Sequence, residues 1–372
     1  MTPIPLFDCR LSAEVLAALQ EPFERGHLAA GPAVPQLEQA FAARYPERHA
    51  VAVGDMTHGL MMALQLAGVR PGDEVLSLAF NCMSSNSAIA MSGANVSWVD
   101  VDPVTATFDI EHAQAHVTSR TRAVVVYHVS GYPADLAQLR AFCDDQNLPL
   151  IEDANNAFGA VIDGKPIGSV GDFAVFSLYA NRQINAIDGG ILLCARAADA
   201  DRARRLRRFG IDVARFRDSD GEIDAALDVS EIGTSSSLNN VNATIAAAGL
   251  ADVDRRIARS RRNAAALTSA TRNLAVVPIF PLDRAEPAYW TWLIRLDERD
   301  GVMRALKAKG ISCSRLHHPN NHYTAFHRIN DDLPGTATLE RELLAIPCGW
   351  WLDEAAIERI VAALTNAVGV RR

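Results

Sequence analysis

Short runs of β-branched and aliphatic residues recur along the first two-thirds of the chain, with amphipathic stretches between the earlier ones. The runs His49–Val53, Glu74–Leu78, Asn95–Asp102, Arg122–Val129, Pro149–Ala154, Asp172–Leu178 and Gly189–Ala195 predict seven strands. Their richness in valine, isoleucine and leucine implies a largely parallel sheet covered on both faces. Arg70-Pro71-Gly72-Asp73 and Gly131-Tyr132-Pro133-Ala134-Asp135 supply turn punctuation. In such an α/β sandwich, ligands sit beyond the carboxyl ends of the strands.

From Leu238 the texture changes. An alanine-rich helical pattern covers Leu238–Leu267, followed by extended segments at Leu274–Phe280 and Tyr289–Leu296. A helix over Gly301–Lys309, the segment Ile311–His318 and a closing helix come next. Asp353 suits the N-cap of that last helix, with Ile357, Ile360, Val361 and Leu364 on one face. The expectation is a large α/β domain over residues 1–250 and a smaller α+β domain over residues 251–372.

Composition narrows the class. The chain has 372 residues, 49% of them hydrophobic, and a formal net charge of -8. That supports a sizeable core and excludes disordered, collagen-like and disulfide-scaffold classes. No apolar run approaches the roughly 18 residues of a membrane span, and the opening MTPIPLFDCR lacks a secretory pattern. The acidic balance argues against nucleic acid as the main partner. Six cysteines without CxxC spacing fit reduced thiols in a cytoplasmic protein. The arginine-dense stretch Arg196–Arg217 is expected to be a solvated helix face, with anion binding as the alternative. Of 36 basic residues only three are lysine, at Lys165, Lys307 and Lys309. Any chemistry that needs a lysine has three candidates.

The segments that carry chemistry are Leu150-Ile-Glu-Asp-Ala-Asn-Asn-Ala-Phe-Gly159, then Gly168 to Arg182, and the tight turn Asp188-Gly189-Gly190. The first two are strands that deliver Asp153 and Ser177 to one sheet edge. Together with Gly72-Asp-Glu-Val75, Val126-Tyr-His-Val-Ser-Gly-Tyr-Pro-Ala-Asp135 and Leu343-Leu-Ala-Ile-Pro347, they resemble the DegT/StrS family. That family comprises fold-type I, pyridoxal-phosphate-dependent sugar aminotransferases and relatives, and the resemblance spans nearly the whole chain. It implies an aspartate-aminotransferase-like three-layer α/β sandwich with a mixed, mostly parallel seven-stranded sheet. It also implies a homodimer with the site at its interface.

By that resemblance Asp153 matches the carboxylate that keeps the cofactor ring protonated, and Thr57 and Ser177 match the phosphate positions. Other positions depart. In Ser177-Leu-Tyr-Ala-Asn-Arg-Gln183, Arg182 occupies the place of the Schiff-base lysine. Arginine stays protonated and cannot serve as the amine nucleophile. The ring-stacking aromatic falls at Cys82, the family glutamine at Asn156, and the phosphate run reads Asp55-Met-Thr57. Ser235 and Ser237 replace the amide and guanidinium of the partner-subunit loop.

Three readings follow. The first is an enzyme acting on a keto-sugar with non-covalent pyridoxal or pyridoxamine phosphate, its base drawn from His58, His128 or Tyr179. For His128 the plainer role is a hydrogen-bonded strand-end histidine. The second is a cofactor-free cleft for another anionic substrate, such as a nucleotide-sugar, with Arg182 forking onto the anion and Asp153 as acid or base. An Arg182–Asp153 ion pair would depress the carboxylate and weaken that base. The third is a pseudoenzyme that partners a true aminotransferase. His317, His318 and Tyr323, with Asn320, Asn321 and His322, are the candidate substrate contacts. His317, His318, His322 and His327 could suggest a metal, but no companion carboxylate pattern is visible, so no metal site is expected.

Overall fold

The computed structural model describes residues 2–326 and 332–368. Seven strands form the central sheet: β1 (His49–Val53), β2 (Glu74–Leu78), β3 (Asn95–Val99), β4 (Thr121–Tyr127), β5 (Leu150–Asp153), β6 (Phe173–Ser177) and β7 (Gly190–Cys194). Their order is β1-β7-β6-β5-β4-β2-β3. The run from β6 to β3 is parallel, whereas β7 is antiparallel to both β1 and β6. The mixed, mostly parallel sheet expected from the sequence is therefore present.

Alternation along each strand feeds two cores. In β1, Ala50 and Ala52 join the cluster of Leu37 and Phe41, from helix α1 (Ala33–Arg44). Val51 and Val53 point to the opposite cluster with Leu60 and Leu64, from α2 (Met56–Leu66). Side chains two apart share a face, so a strand apolar at every position is covered on both sides. Three more helices bear on the site or its frame: α3 (Met83–Met91), α4 (Leu136–Asp145) and α5 (Ala197–Leu206).

The later chain builds a three-stranded sheet from β8 (Val277–Pro278), β9 (Trp292–Arg295) and β10 (Leu343–Ile346). Ala264, Leu267, Trp292, Ile294, Leu306, Leu344, Ile346 and Ile360 share its core with Ile4 from the chain start. Ile4 is held there by Gly310 and Ser312 through backbone hydrogen bonds of 2.8 and 2.9 Å. Asp353 caps the closing helix, accepting from Ala356 N–H at 2.8 Å.

Several elements differ from expectation. The helical pattern Leu238–Leu267 is two helices, α6 (Asn240–Leu250) and α7 (Val253–Ala270), interrupted at Ala251–Asp252. Asn95–Asp102 is interrupted at Asp100, whose buried carboxylate accepts from Gly335 and Thr336 N–H at 2.7 and 2.6 Å. A carboxylate there caps helix α9 (Pro334–Glu342), which follows α8 (Arg299–Ala308). Ile311–His318 makes only isolated bridges, at Ile311 and Ser314. Leu316 turns the chain to φ 68°, a left-handed conformation that no strand continues through.

Candidate active site

Parallel pairing sets Tyr127 at the end of β4 beside Asp153 at the end of β5. The loops beyond those ends carry the groups singled out by the sequence. Some of the chain's backbone strain falls here as well, although Ala106, Asn147, Asp163 and Phe209 also have positive φ. Ser130, Ile187, Tyr289 and Leu316 all have positive φ without being glycine, a costly state that clusters at functional sites.

Asp153 is fully buried. Its carboxylate accepts from Ser85 Oγ at the start of α3 and from Asn155 Nδ2 at 3.0 Å. Burial pushes its pKa above the usual carboxylate value, and the hydrogen bonds from Ser85 and Asn155 only partly oppose this. The neighbouring Glu152 faces the other way. Burial also acts on it, but His128 and the N–H groups of Gly168 and Gly171 outweigh burial and hold its pKa low. Two adjacent carboxylates thus have opposite environments.

His128 is fully buried. Its Nδ1 accepts from Ala134 N–H at 3.1 Å, which leaves the Nε2 proton for Glu152 at 3.3 Å. With both nitrogens committed it orders the strand end, the plainer of the two roles weighed for it.

A second network runs through Tyr127. Its oxygen accepts from Ser130 N–H at 3.2 Å and Asn156 Nδ2 at 2.9 Å. The hydroxyl proton is left to donate to His317 Nε2 at 3.1 Å. His317 therefore carries its proton on Nδ1. Burial and the charge of Arg182 pull its pKa down to about 3, so it is neutral.

Arg182 reaches into this cluster. Its guanidinium carbon lies 4.7 Å from the centroid of the Trp290 ring, which is itself stacked on Phe7 at 4.3 Å. Nη1 donates to Asn181 Oδ1, and Nε is buried without a partner. Burial lowers its pKa, opposed by Tyr127, Cys82 and Asp153, yet an arginine remains a cation. Among the described residues no carboxylate forms an ion pair with it. Asp153, raised by burial, is not depressed by an ion pair with it.

The start of α2 has its own anion. Asp55 caps the helix, accepting from His58 N–H at 3.0 Å, while its other oxygen engages His58 Nδ1. Thr57 follows, partly exposed. Ser177 lies level with Gly190 and Val53 across the sheet, and its hydroxyl accepts from Tyr179 N–H at 3.2 Å. A side chain at Gly190 would meet the Phe176 carbonyl at 3.1 Å and Met56 Cα at 3.2 Å, so glycine lets α2 approach the sheet. Cys82 caps α3 and is partly buried, and Tyr179 is 51% exposed.

Two other expected substrate contacts, His318 and Tyr323, have partners on the loop after His317 and on α9. His318 faces Glu340 at 3.0 Å, and the exposed Tyr323 packs edge-on against His318 at 5.3 Å. His327 lies outside the described residues. Ser85, Tyr127 and Trp290 were not identified from sequence as site residues. Tyr127 could have been found, because it ends the strand next to the one bearing Asp153.

The model of the DegT/DnrJ/EryC1/StrS aminotransferase family matches residues 10–365, and the chain belongs to that family. The sugar aminotransferase CalS13 from Micromonospora echinospora is 32% identical, with a TM-score of 0.91 over 98% of this chain and 99% of that one. The aminotransferase TlmJ from Streptoalloteichus hindustanus is 29% identical, with a TM-score of 0.91 over 98% of both chains. DesI, whose structure was determined with its TDP-sugar product, is 29% identical, with a TM-score of 0.87 over 98% of this chain and 92% of that one. No helix among the described residues is long and apolar enough to cross a membrane.

Proposed function

We propose that this chain keeps the architecture of a sugar aminotransferase but works without an internal aldimine. In this reading its cleft takes an anionic, sugar-derived ligand on Arg182 and has ceased to take the pyridoxal cofactor. The observation that carries the reading is Arg182 itself, a guanidinium with a buried, unpartnered Nε and no carboxylate pair among the described residues. Burying a cation without a counter-charge is costly, and a bound carboxylate, phosphate or enolate would offset that cost.

The residues present do not fit a phosphate-bearing pyridine. The carboxylate of Asp55 already sits at the helix start where the phosphate would lie, fixed by His58. Cys82 provides no ring face to stack on. Of the three lysines, Lys165 lies on a two-residue hairpin strand, and Lys307 and Lys309 end helix α8. Thr57, Ser177 and Asp153 keep side chains of the family's type, but the raised pKa of Asp153 suits a different task. A carboxylate made more basic by burial can take a proton from the carbon beside a substrate carbonyl and return it there. Arg182 would stabilise the enolate oxygen formed between those steps.

The substrate class this supports is a keto-sugar linked to a nucleotide diphosphate, in line with the TDP-sugar of DesI, with a homodimer completing the cleft. A second reading, a partner subunit for a true aminotransferase, is favoured by the exposed apolar side chains Phe209, Val213, Ile223 and Ile232. Calorimetry with a TDP-linked keto-sugar, followed by NMR of deuterium uptake in D2O, separates the two. Binding with exchange next to the carbonyl is the expected result. Absence of binding to the homodimer favours the partner-subunit reading.

A further inference from the structure

The loop after His317 presents two imidazoles to one carboxylate. His318 Nδ1 lies 3.0 Å and His322 Nδ1 3.5 Å from the same oxygen of Glu340, on α9. The candidate donor atoms of the three residues all fall within 4.8 Å of one another. A tetrahedral zinc ion with ligands at 2.0–2.1 Å has edges of about 3.3 Å. The two nitrogen-to-oxygen separations are already close to that edge.

We propose that His318, His322 and Glu340 form a binding site for a divalent transition-metal ion, with zinc as its reference ion. Two imidazoles and one carboxylate match the borderline preference of zinc, whereas magnesium and calcium select oxygen ligands. The side chains are 51%, 43% and 33% exposed, so the remaining coordination position faces solvent.

The backbone that carries the two histidines is held in place before any ion arrives. Buried Asn320 donates its backbone N–H to the Ala79 carbonyl at 2.8 Å, and its side chain donates to Asn81 O at 3.1 Å and accepts from Asn86 Nδ2 at 2.9 Å. A bound ion would clip the loop that bears His317 to helix α9. No companion carboxylate pattern is visible beside these histidines in the sequence because Glu340 lies on a different element.

The test is calorimetric titration of the EDTA-treated, full-length protein with ZnCl2, alongside cobalt(II) absorption spectra and a MgCl2 control. One zinc per chain is expected, with tetrahedral cobalt bands and no magnesium binding. His318→Ala/His322→Ala should weaken zinc at least tenfold, and Glu340→Gln should also weaken it. His116→Ala, in the separate stacked pair His112–His116, should leave binding unchanged. His322→Gln alone serves should the double variant misfold. The absence of one-to-one binding, or an affinity indifferent to these changes, would mean that the cluster is only hydrogen-bonded.

Discussion

The guanidinium of Arg182 lies over the indole of Trp290, 4.7 Å from its centroid, and Trp290 Nε1 donates to the Asn181 carbonyl at 2.7 Å. The cation is thus supported by a ring whose own position is fixed by the loop that carries it. Such a contact stabilises by about 2 kcal/mol when desolvated. It aims the guanidinium without neutralising it, which leaves the charge available to a ligand.

Arg182→Met should lower the affinity for a TDP-linked sugar by about 10- to 100-fold, the range for losing a charge-assisted hydrogen bond. Titration calorimetry reads this directly. Unchanged affinity would place the anion elsewhere.

Trp290→Leu keeps apolar bulk but removes the ring face. Ligand affinity should fall about 5- to 30-fold, in proportion to the lost cation–π contact. The same titration checks it.

Asp153→Asn separates two roles for this carboxylate. Asparagine can accept from Asn155 and donate to Ser85, so the variant should fold with an unchanged Tm. Removing a negative charge near Arg182 should strengthen anion binding while deuterium exchange is lost. A pyridinium-pairing role would instead show as lost cofactor binding.

His317 sets a pH dependence. Its folded pKa of about 3 lies below the ordinary 6.5, so the unfolded chain takes up the proton first as pH falls. Its contribution to stability is complete above about pH 6.5 and is lost on the way down to about 3. Thermal melts should therefore show a shallower decline for His317→Gln than for the unaltered protein over that window.

Much of the fold was legible because strand ends carry their own chemistry. Leu150–Asp153 announces itself as an apolar run ending in two acids, and Asp353 as a helix cap. The break at Asp100 was not legible, because its reason is a helix start 235 residues away. In the site, Arg182 is set against the family's lysine position only by the resemblance of Ser177–Gln183 to the family motif. The opposite environments of Glu152 and Asp153 could not be read at all, since they depend on Gly168, Gly171 and Ser85. Nor could Glu340 be joined to His318 and His322, which meet it only when α9 packs against the loop.

Whether the cleft has exchanged its cofactor for a sugar nucleotide is decided by titrating the unaltered protein with pyridoxamine phosphate and pyridoxal phosphate, followed by absorbance and calorimetry, beside the same titration with a TDP-linked keto-sugar. Sugar-nucleotide binding that depends on Arg182 is expected, with no saturable binding of either vitamer. Tight one-to-one binding of either vitamer, undisturbed by Asp55 and Cys82, would contradict that exchange.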